Sequence, residues 1–480
     1  MNDGNDASSP GRGRSRRQVL AATGTALGAA LAGCGGDSGE PTDRDDPDVV
    51  DDTDDTDTTT TETPTATAGE PTDEAQGDYP PLGNYPVEGD TVTYGFTVPT
   101  SGPFGTLGEH ERRAYDLAVT HLNEGGGWAD TWDDLSGDGV LGKSVESVVR
   151  DTETDPGRAR QAAAQLIQSD EAVVLSGGIS TAVAIVTQQT CQQEKVPYVA
   201  ALAPSNVVTG RECVRYAFRE MHNVEMGLRG LVDFLVDDRG SSGTVSVLYP
   251  DYAYGQSVQE TTRRLFAERG WSTGETVAAP LGTDDYGQYL DSIPHESDVL
   301  VLSQFGPDAA TALRQATEMG FAEDTTLVVP LLERSFLDAA GPELDGVYGT
   351  VDWHWTREDR YSAAFVDAYE AEYGERPPSV ARLAYAATMR FSAAVERAGT
   401  FYPPEIVRAM EDHEYANTGL GRATSRACDH QSIRPVFVVE GRDPTSTDAP
   451  VEIVAEQGPD TVGYSCTAPP ASECELGEYQ

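Results

Sequence analysis

From Thr91 onward the sequence repeats one pattern: a short apolar or alternating run, a break rich in Gly, Ser and Pro, then a stretch with helical spacing. The first unit is TVTYGFTVPTSGPFGTLGEHERRAYDLAVTHLNE, Thr91 to Glu124. Val92, Tyr94 and Phe96 alternate onto one face, as in a strand. Pro99-Thr100-Ser101-Gly102-Pro103 cannot continue that strand. Tyr115, Ala118, Val119 and Leu122 then share one helical stripe. Strand–loop–helix units in series predict an α/β fold with mainly parallel sheets. In open sheets of this kind ligands bind at the carboxyl ends of strands, near helix N-termini.

Later segments keep to the pattern. Strands are predicted at 144–151, 172–175 and 196–200, with helices at 155–169 and 182–194. A second run holds a helix at 223–237, strands at 244–249, 299–302 and 327–329, and helices reaching Arg269 and spanning 308–319. Long helical stretches follow at 360–373 and 379–397, then a strand at 436–439 and a tail rich in Gly, Pro and Asp. Residues 128–138, acidic and Gly-rich, read as a loop.

Net charge restricts the partners. The chain carries 80 Asp and Glu against 33 Lys and Arg, a net charge of −47. Lys143 and Lys195 are its lysines. Such a surface repels nucleic acid and anionic lipid. Acidity with so little Lys resembles proteins of extreme halophiles, whose self-repulsion is screened by salt.

Residues 1–34 read as a targeting signal. Ser15-Arg16-Arg17-Gln18-Val19-Leu20 is a twin-arginine pattern, followed by an Ala-rich apolar run to Ala32. Leu31-Ala32-Gly33-Cys34 resembles a lipobox, which implies a diacylated Cys34 holding the protein on the extracytoplasmic face of the membrane. Residues 35–85 are acidic, Thr-rich and poor in large apolar side chains, and read as a disordered tether.

Several stretches carry a family resemblance: GFTVPTSGPFGTLGEHERRAYDLAVTHLNE, VLSGGISTAVAIVTQQTCQQEKVPYVAALAPSNVVTG, YPDYAYGQSVQETTRRLFAERG and DVLVLSQFGPDAATALRQATEMGF, with DHQSIRPVFVVEG near the end. In this order they resemble type I periplasmic binding proteins, in the Leu/Ile/Val- and amide/urea-binding branch of ABC importers. The resemblance implies two Rossmann-like lobes joined by a three-stranded hinge. Lobe one is expected at 90–219 and 351–434, lobe two at 220–350 and 435–480. A small solute would bind in the cleft and draw the lobes together.

The same resemblance implies the site. Ser180 and Thr181 at a helix N-terminus, and Ala203 and Ser205 after the next strand, would hold a carboxylate or carbonyl oxygen; for the hydroxyls the alternative is plain helix capping. Ser101 and Gly102 would let the first loop approach the ligand closely. Tyr254 and Phe305 would cover it, with Tyr252 as hinge-side packing. A ligand ammonium requires a buried carboxylate. Glu333 and Asp352 are the candidates, although neither aligns cleanly with the family's acid, which leaves an uncharged amide or urea open. The resemblance also implies a Cys191–Cys213 bridge. Cys466 and Cys474 are spaced to close a small loop, with Cys428 left over or paired with one of them.

No HExxH or GxSxG pattern occurs, and no metal-ligand spacing, so no cofactor is expected and an enzyme is disfavoured. The expectation is a lipid-anchored solute-binding protein that hands a branched-chain amino acid, amide or urea to an ABC permease. A sensory receptor of the same fold is the alternative.

Overall fold

The computed structural model of the chain describes residues 79–479. The expected signal, Cys34 and the tether up to residue 78 lie outside the described residues. Residues 79–85, also read as tether, are seated on the folded region. Asn84 Nδ2 donates to the Ile167 and Ala172 carbonyls, and Tyr79 stacks on Tyr402 at 4.3 Å.

The first half comprises β1 (Thr91–Val98), α1 (Gly105–Glu124), β2 (Ser144–Asp151), α2 (Pro156–Gln168), β3 (Val174–Gly177), α3 (Thr181–Glu194), β4 (Tyr198–Ala200) and β5 (Ala217–Arg219). Its strands form a five-stranded sheet in the order β2-β1-β3-β4-β5, parallel throughout. The alternation read in β1 buries Val92, Tyr94, Phe96 and Val98. α2 starts where Asp155 accepts from the Arg158 N–H and Pro156 takes the first helical position.

The second half runs through α4 (Val224–Arg239), β6 (Thr244–Pro250), α5 (Ala253–Glu268), β7 (Ser272–Ala279), α6 (Gly287–Leu290), β8 (Val299–Leu302), α7 (Pro307–Glu318), α8 (Phe321–Asp324), β9 (Thr326–Leu331), α9 (Arg334–Ala339) and β10 (Tyr348–Val351). The chain then forms α10 (Arg360–Tyr373), α11 (Ser379–Ala398) and α12 (Pro403–Met410). α11, buried along most of its length, packs on α1 in the first half. Short strands β11 (Glu414–Tyr415), β12 (Ala423–Ser425) and β13 (Ser432–Ile433) form a small antiparallel sheet. β14 (Val436–Gly441), β15 (Val451–Gln457) and α13 (Pro459–Val462) follow. The seven-stranded sheet has the order β15-β14-β10-β9-β8-β6-β7, parallel except for the antiparallel pairs β10·β14 and β14·β15.

The chain thus passes between the sheets after β5, after β10 and after β13. Each passage places a charged residue in one buried cluster. Glu220 Oε1 accepts from Arg382 Nη1 and Arg434 Nη1, each at 3.3 Å, and Glu220 Oε2 accepts from Arg390. Asp352 Oδ2 accepts from Arg434 Nη2 at 2.7 Å, and its Oδ1 from the His222 backbone N–H at 3.3 Å. Burial alone would raise the Asp352 pKa, but Arg434, His222 and Arg382 outweigh it and hold it at about 2. Burial pulls Arg382 down to about 9.

The disulfides differ from the Cys191–Cys213 and Cys466–Cys474 expectation and realise the alternative in which Cys428 pairs with one of the tail cysteines. Cys213 pairs with Cys474 and Cys428 with Cys466, whereas Cys191 is free. Cys191 is fully buried among Ala163, Leu166 and Tyr198, where it acts as a small apolar side chain. Cys466 and Cys474 do not close a loop on each other, because the tail lies against segments that carry Cys428 and Cys213. The tail itself contains the edge strand β15, which the composition had concealed.

Candidate functional site

The two sheets present their strand tips to one another. From the first half come the loops after β1, β3 and β4; from the second, those after β6, β8 and β9. Leu107, Ile179 and Leu202 join Tyr254, Phe305 and Leu331 in one buried apolar cluster. Phe104 meets Phe305 edge-on at 5.3 Å, and Tyr254 meets Phe305 at 6.2 Å. Ser205 Oγ donates to the Ala253 carbonyl at 3.2 Å and lies 2.9 Å from Ser257 Oγ, while Asn206 Nδ2 donates to Thr261. The halves are therefore drawn together, and a void of about 20 Å³ remains beside Tyr254, Pro204 and His222.

The loop after β3 owes its shape to its backbone conformation. Gly177, Gly178 and Ser180 all have positive φ, at 133°, 94° and 90°. A methyl group on Gly178 would overlap the Tyr198 hydroxyl, which donates to the Gly177 carbonyl. Ser180, a non-glycine in this region, is strained, as residues at ligand sites often are. It precedes α3 without capping it. Neither the Ser180 nor the Thr181 hydroxyl has a hydrogen-bond partner among the described residues, so capping does not employ them.

Ala203 and Ser205 are fixed from behind. Arg219 Nη1 donates to both of their carbonyls, at 2.7 and 2.6 Å, and Arg219 Nε to Gln431. Burial lowers the Arg219 pKa to about 10. Sequence reasoning missed this clamp, which depends on a residue at the far end of β5. It also passed over Gln304. Both amide atoms of Gln304 are buried without a partner among the described residues, an arrangement that suits a ligand supplying the missing bonds.

Two candidates lie elsewhere. The exposed Ser101 hydroxyl donates to Asp151 at 2.6 Å, and Gly102, at φ 82°, packs on the Glu153 backbone with no room for a side chain. The smallness of both residues serves the turn against β2. Tyr252 is half-buried and tilted against Tyr254 at 6.1 Å.

The two acids part company. Asp352 is consumed by the interlobe cluster described above. Glu333 is 2% exposed and caps α9, accepting from Ser335 and from the Phe336 N–H. Burial raises its pKa against those hydrogen bonds. No cation pairs with it among the described residues. A methyl group on Gly306 would stand 3.6 Å from Glu333 Oε1, which puts the carboxylate beside the Phe305 loop. A second cavity, of about 690 Å³, opens next to Leu332 and Arg334 and is bounded by Trp353, Trp355 and Arg376.

Two α/β halves joined by three chain passages, with loops meeting at facing strand tips, define the type I periplasmic binding protein fold. A sequence profile of the periplasmic binding protein family matches residues 91–447, and the chain belongs to that family. It is 26% identical over 374 residues to Leu/Ile/Val-binding protein homolog 8 of Brucella abortus, a match covering 72% of this chain and 87% of the relative. In structure it is similar to an amino acid ABC transporter substrate-binding protein from Pseudomonas fluorescens, with TM-score 0.72 and 20% identity over 81% of this chain and 100% of the other. It is similar also to the branched-chain amino acid transporter substrate-binding protein LivJ from Streptococcus pneumoniae, solved with isoleucine, with TM-score 0.64 and 19% identity over 77% of this chain and 99% of the other. The family is one of extracytoplasmic solute-binding proteins.

Proposed function

We propose that the protein is the solute receptor of an ABC importer and captures a branched-chain amino acid between its two halves. Diacylated Cys34 would tether it to the membrane face, from which it would deliver the ligand to its permease. The observation that carries the choice of ligand is Glu333: a buried carboxylate without a cation partner among the described residues, beside the Phe305 loop. A buried unpaired charge is costly, and a ligand ammonium would relieve that cost. The uncapped N-terminus of α3, with Ser180 and Thr181, suits the ligand carboxylate. Leu107, Ile179, Tyr254 and Phe305 suit an aliphatic side chain. Urea or a short amide would bring no positive charge to the carboxylate and would leave these apolar groups unmatched.

Calorimetry tests this by comparing L-leucine with 4-methylpentanoate, which lacks the ammonium. Glu333→Gln is expected to weaken L-leucine by about 100-fold, on the order of 3 kcal/mol for a buried charged pair, and to leave 4-methylpentanoate little changed. Equal losses for the two ligands would remove Glu333 from ammonium recognition. Affinity for L-leucine should also fall as pH is lowered through the raised pKa of Glu333, since a protonated acid no longer attracts the ammonium.

A further inference from the structure

The polypeptide makes a further link between the halves beyond the three passages. β15 belongs to the seven-stranded sheet, and α13 packs on α4 of the same half. Val462 is buried with Met226 and Val436, which anchors that turn. Immediately afterwards the chain turns onto the first half. The Tyr464 hydroxyl accepts from Asn223 Nδ2 at 2.6 Å and donates to Asp429 at 3.4 Å, and Arg426 covers the Tyr464 ring at 4.3 Å.

The end of the tail is then bolted down. Cys466 is bonded to Cys428 and Cys474 to Cys213. Arg215 donates to the Gly477 carbonyl at 3.1 and 2.9 Å and to Glu411 at 2.7 Å, and the Tyr479 hydroxyl donates to Glu411 at 2.8 Å. Arg215 and Arg408 stand over the Tyr479 ring at 4.6 and 4.3 Å. Cys213 precedes β5 and Cys474 follows β15, so the covalent ring closed by this bridge contains the whole seven-stranded sheet. Both ends of the second half are thereby fastened to the first.

We propose that residues 458–479 are a strap that limits how far the two halves open. Opening beyond the slack of residues 458–465 requires α13 to peel from α4 or a disulfide to break, because the chain between β15 and Cys466 is folded and packed. The strap keeps the ligand-free protein partly closed. It thereby raises affinity and slows release at the site under Proposed function, on which this last consequence rests.

The test compares the full chain with Cys213→Ser/Cys474→Ser/Cys428→Ser/Cys466→Ser by small-angle X-ray scattering, with and without saturating L-isoleucine. The four-serine protein is expected to be more expanded than the parent when ligand-free and to match it when saturated, with isoleucine dissociating severalfold faster. Identical ligand-free scattering from a variant that retains its near-ultraviolet circular dichroism would overturn the strap. If that variant loses its tertiary signal, the same comparison is read on Cys213→Ser/Cys474→Ser, which keeps the second bridge. If the parent binds no isoleucine, the uptake reading fails, while ligand-free scattering still decides the strap.

Discussion

Three buried carboxylates behave differently because of what faces them. Asp352 is held near pKa 2 by Arg434, His222 and Arg382 against its own burial. Its stabilising effect is present above the ordinary value of 3.8 and is lost as pH falls through about 2. Asp352→Asn leaves Arg434 underpaired and is expected to cost about 3–5 kcal/mol at neutral pH, read from guanidinium unfolding; a loss under about 1 kcal/mol would contradict the role given to the cluster. Glu111 has the opposite sign. Burial raises it to about 8, with the Tyr115 hydroxyl donating to it at 3.3 Å and its other oxygen without a partner among the described residues. Full stability is present below the ordinary 4.5 and declines as pH rises toward 8. Urea unfolding of Glu111→Gln should lack that decline, and a parallel pH dependence in both proteins would show Glu111 to be ionised when folded. The sequence presented Glu333 and Asp352 as equals. What separates them is Arg434, distant in the chain and invisible to local reasoning.

At the scale of elements, β1 was legible because its large apolar residues alternate with small ones, and α1 because its apolar stripe is its buried face. The same holds for β2, α2 and α3. Among the strands of the two large sheets, those missed were mostly edges. β7 and β15 flank the seven-stranded sheet, and their polar residues, as in Ser272-Thr273-Gly274-Glu275, face solvent rather than following a clean alternation. β5 and β10 are short and lead directly into the interlobe passages. The loop at Gly177–Ser180 was expected to be a ligand loop, but its support from Tyr198 and the Arg219 clamp behind Ala203 arise only on folding. Gly178→Ala is expected to lower the melting temperature and weaken ligand together, since φ 94° there disfavours any L side chain, over and above the contact of a methyl group with the Tyr198 hydroxyl. Pairing it with Tyr198→Phe should not restore the strained φ, so recovery in the double variant would show contact, not backbone, to be the cause.

For the molecule as a whole, the lobed α/β plan could be read from the order of its units, whereas the pairing of its cysteines could not, because that depends on where the tail comes to rest. The net charge of −47 carries its own consequence. Between about 0.1 M and about 1 M salt the Debye length shrinks from about 10 Å to about 3 Å. The melting temperature should climb over that range, and a fall would mean that attractive ion pairs outweigh self-repulsion. The central claim is that a small solute lies between the facing strand tips. A crystal grown with L-isoleucine tests it most directly. The expected density lies between Thr181 and the Tyr254–Phe305 pair, with the ammonium on Glu333. Density confined to the cavity at Trp355, or none between the halves, would contradict it.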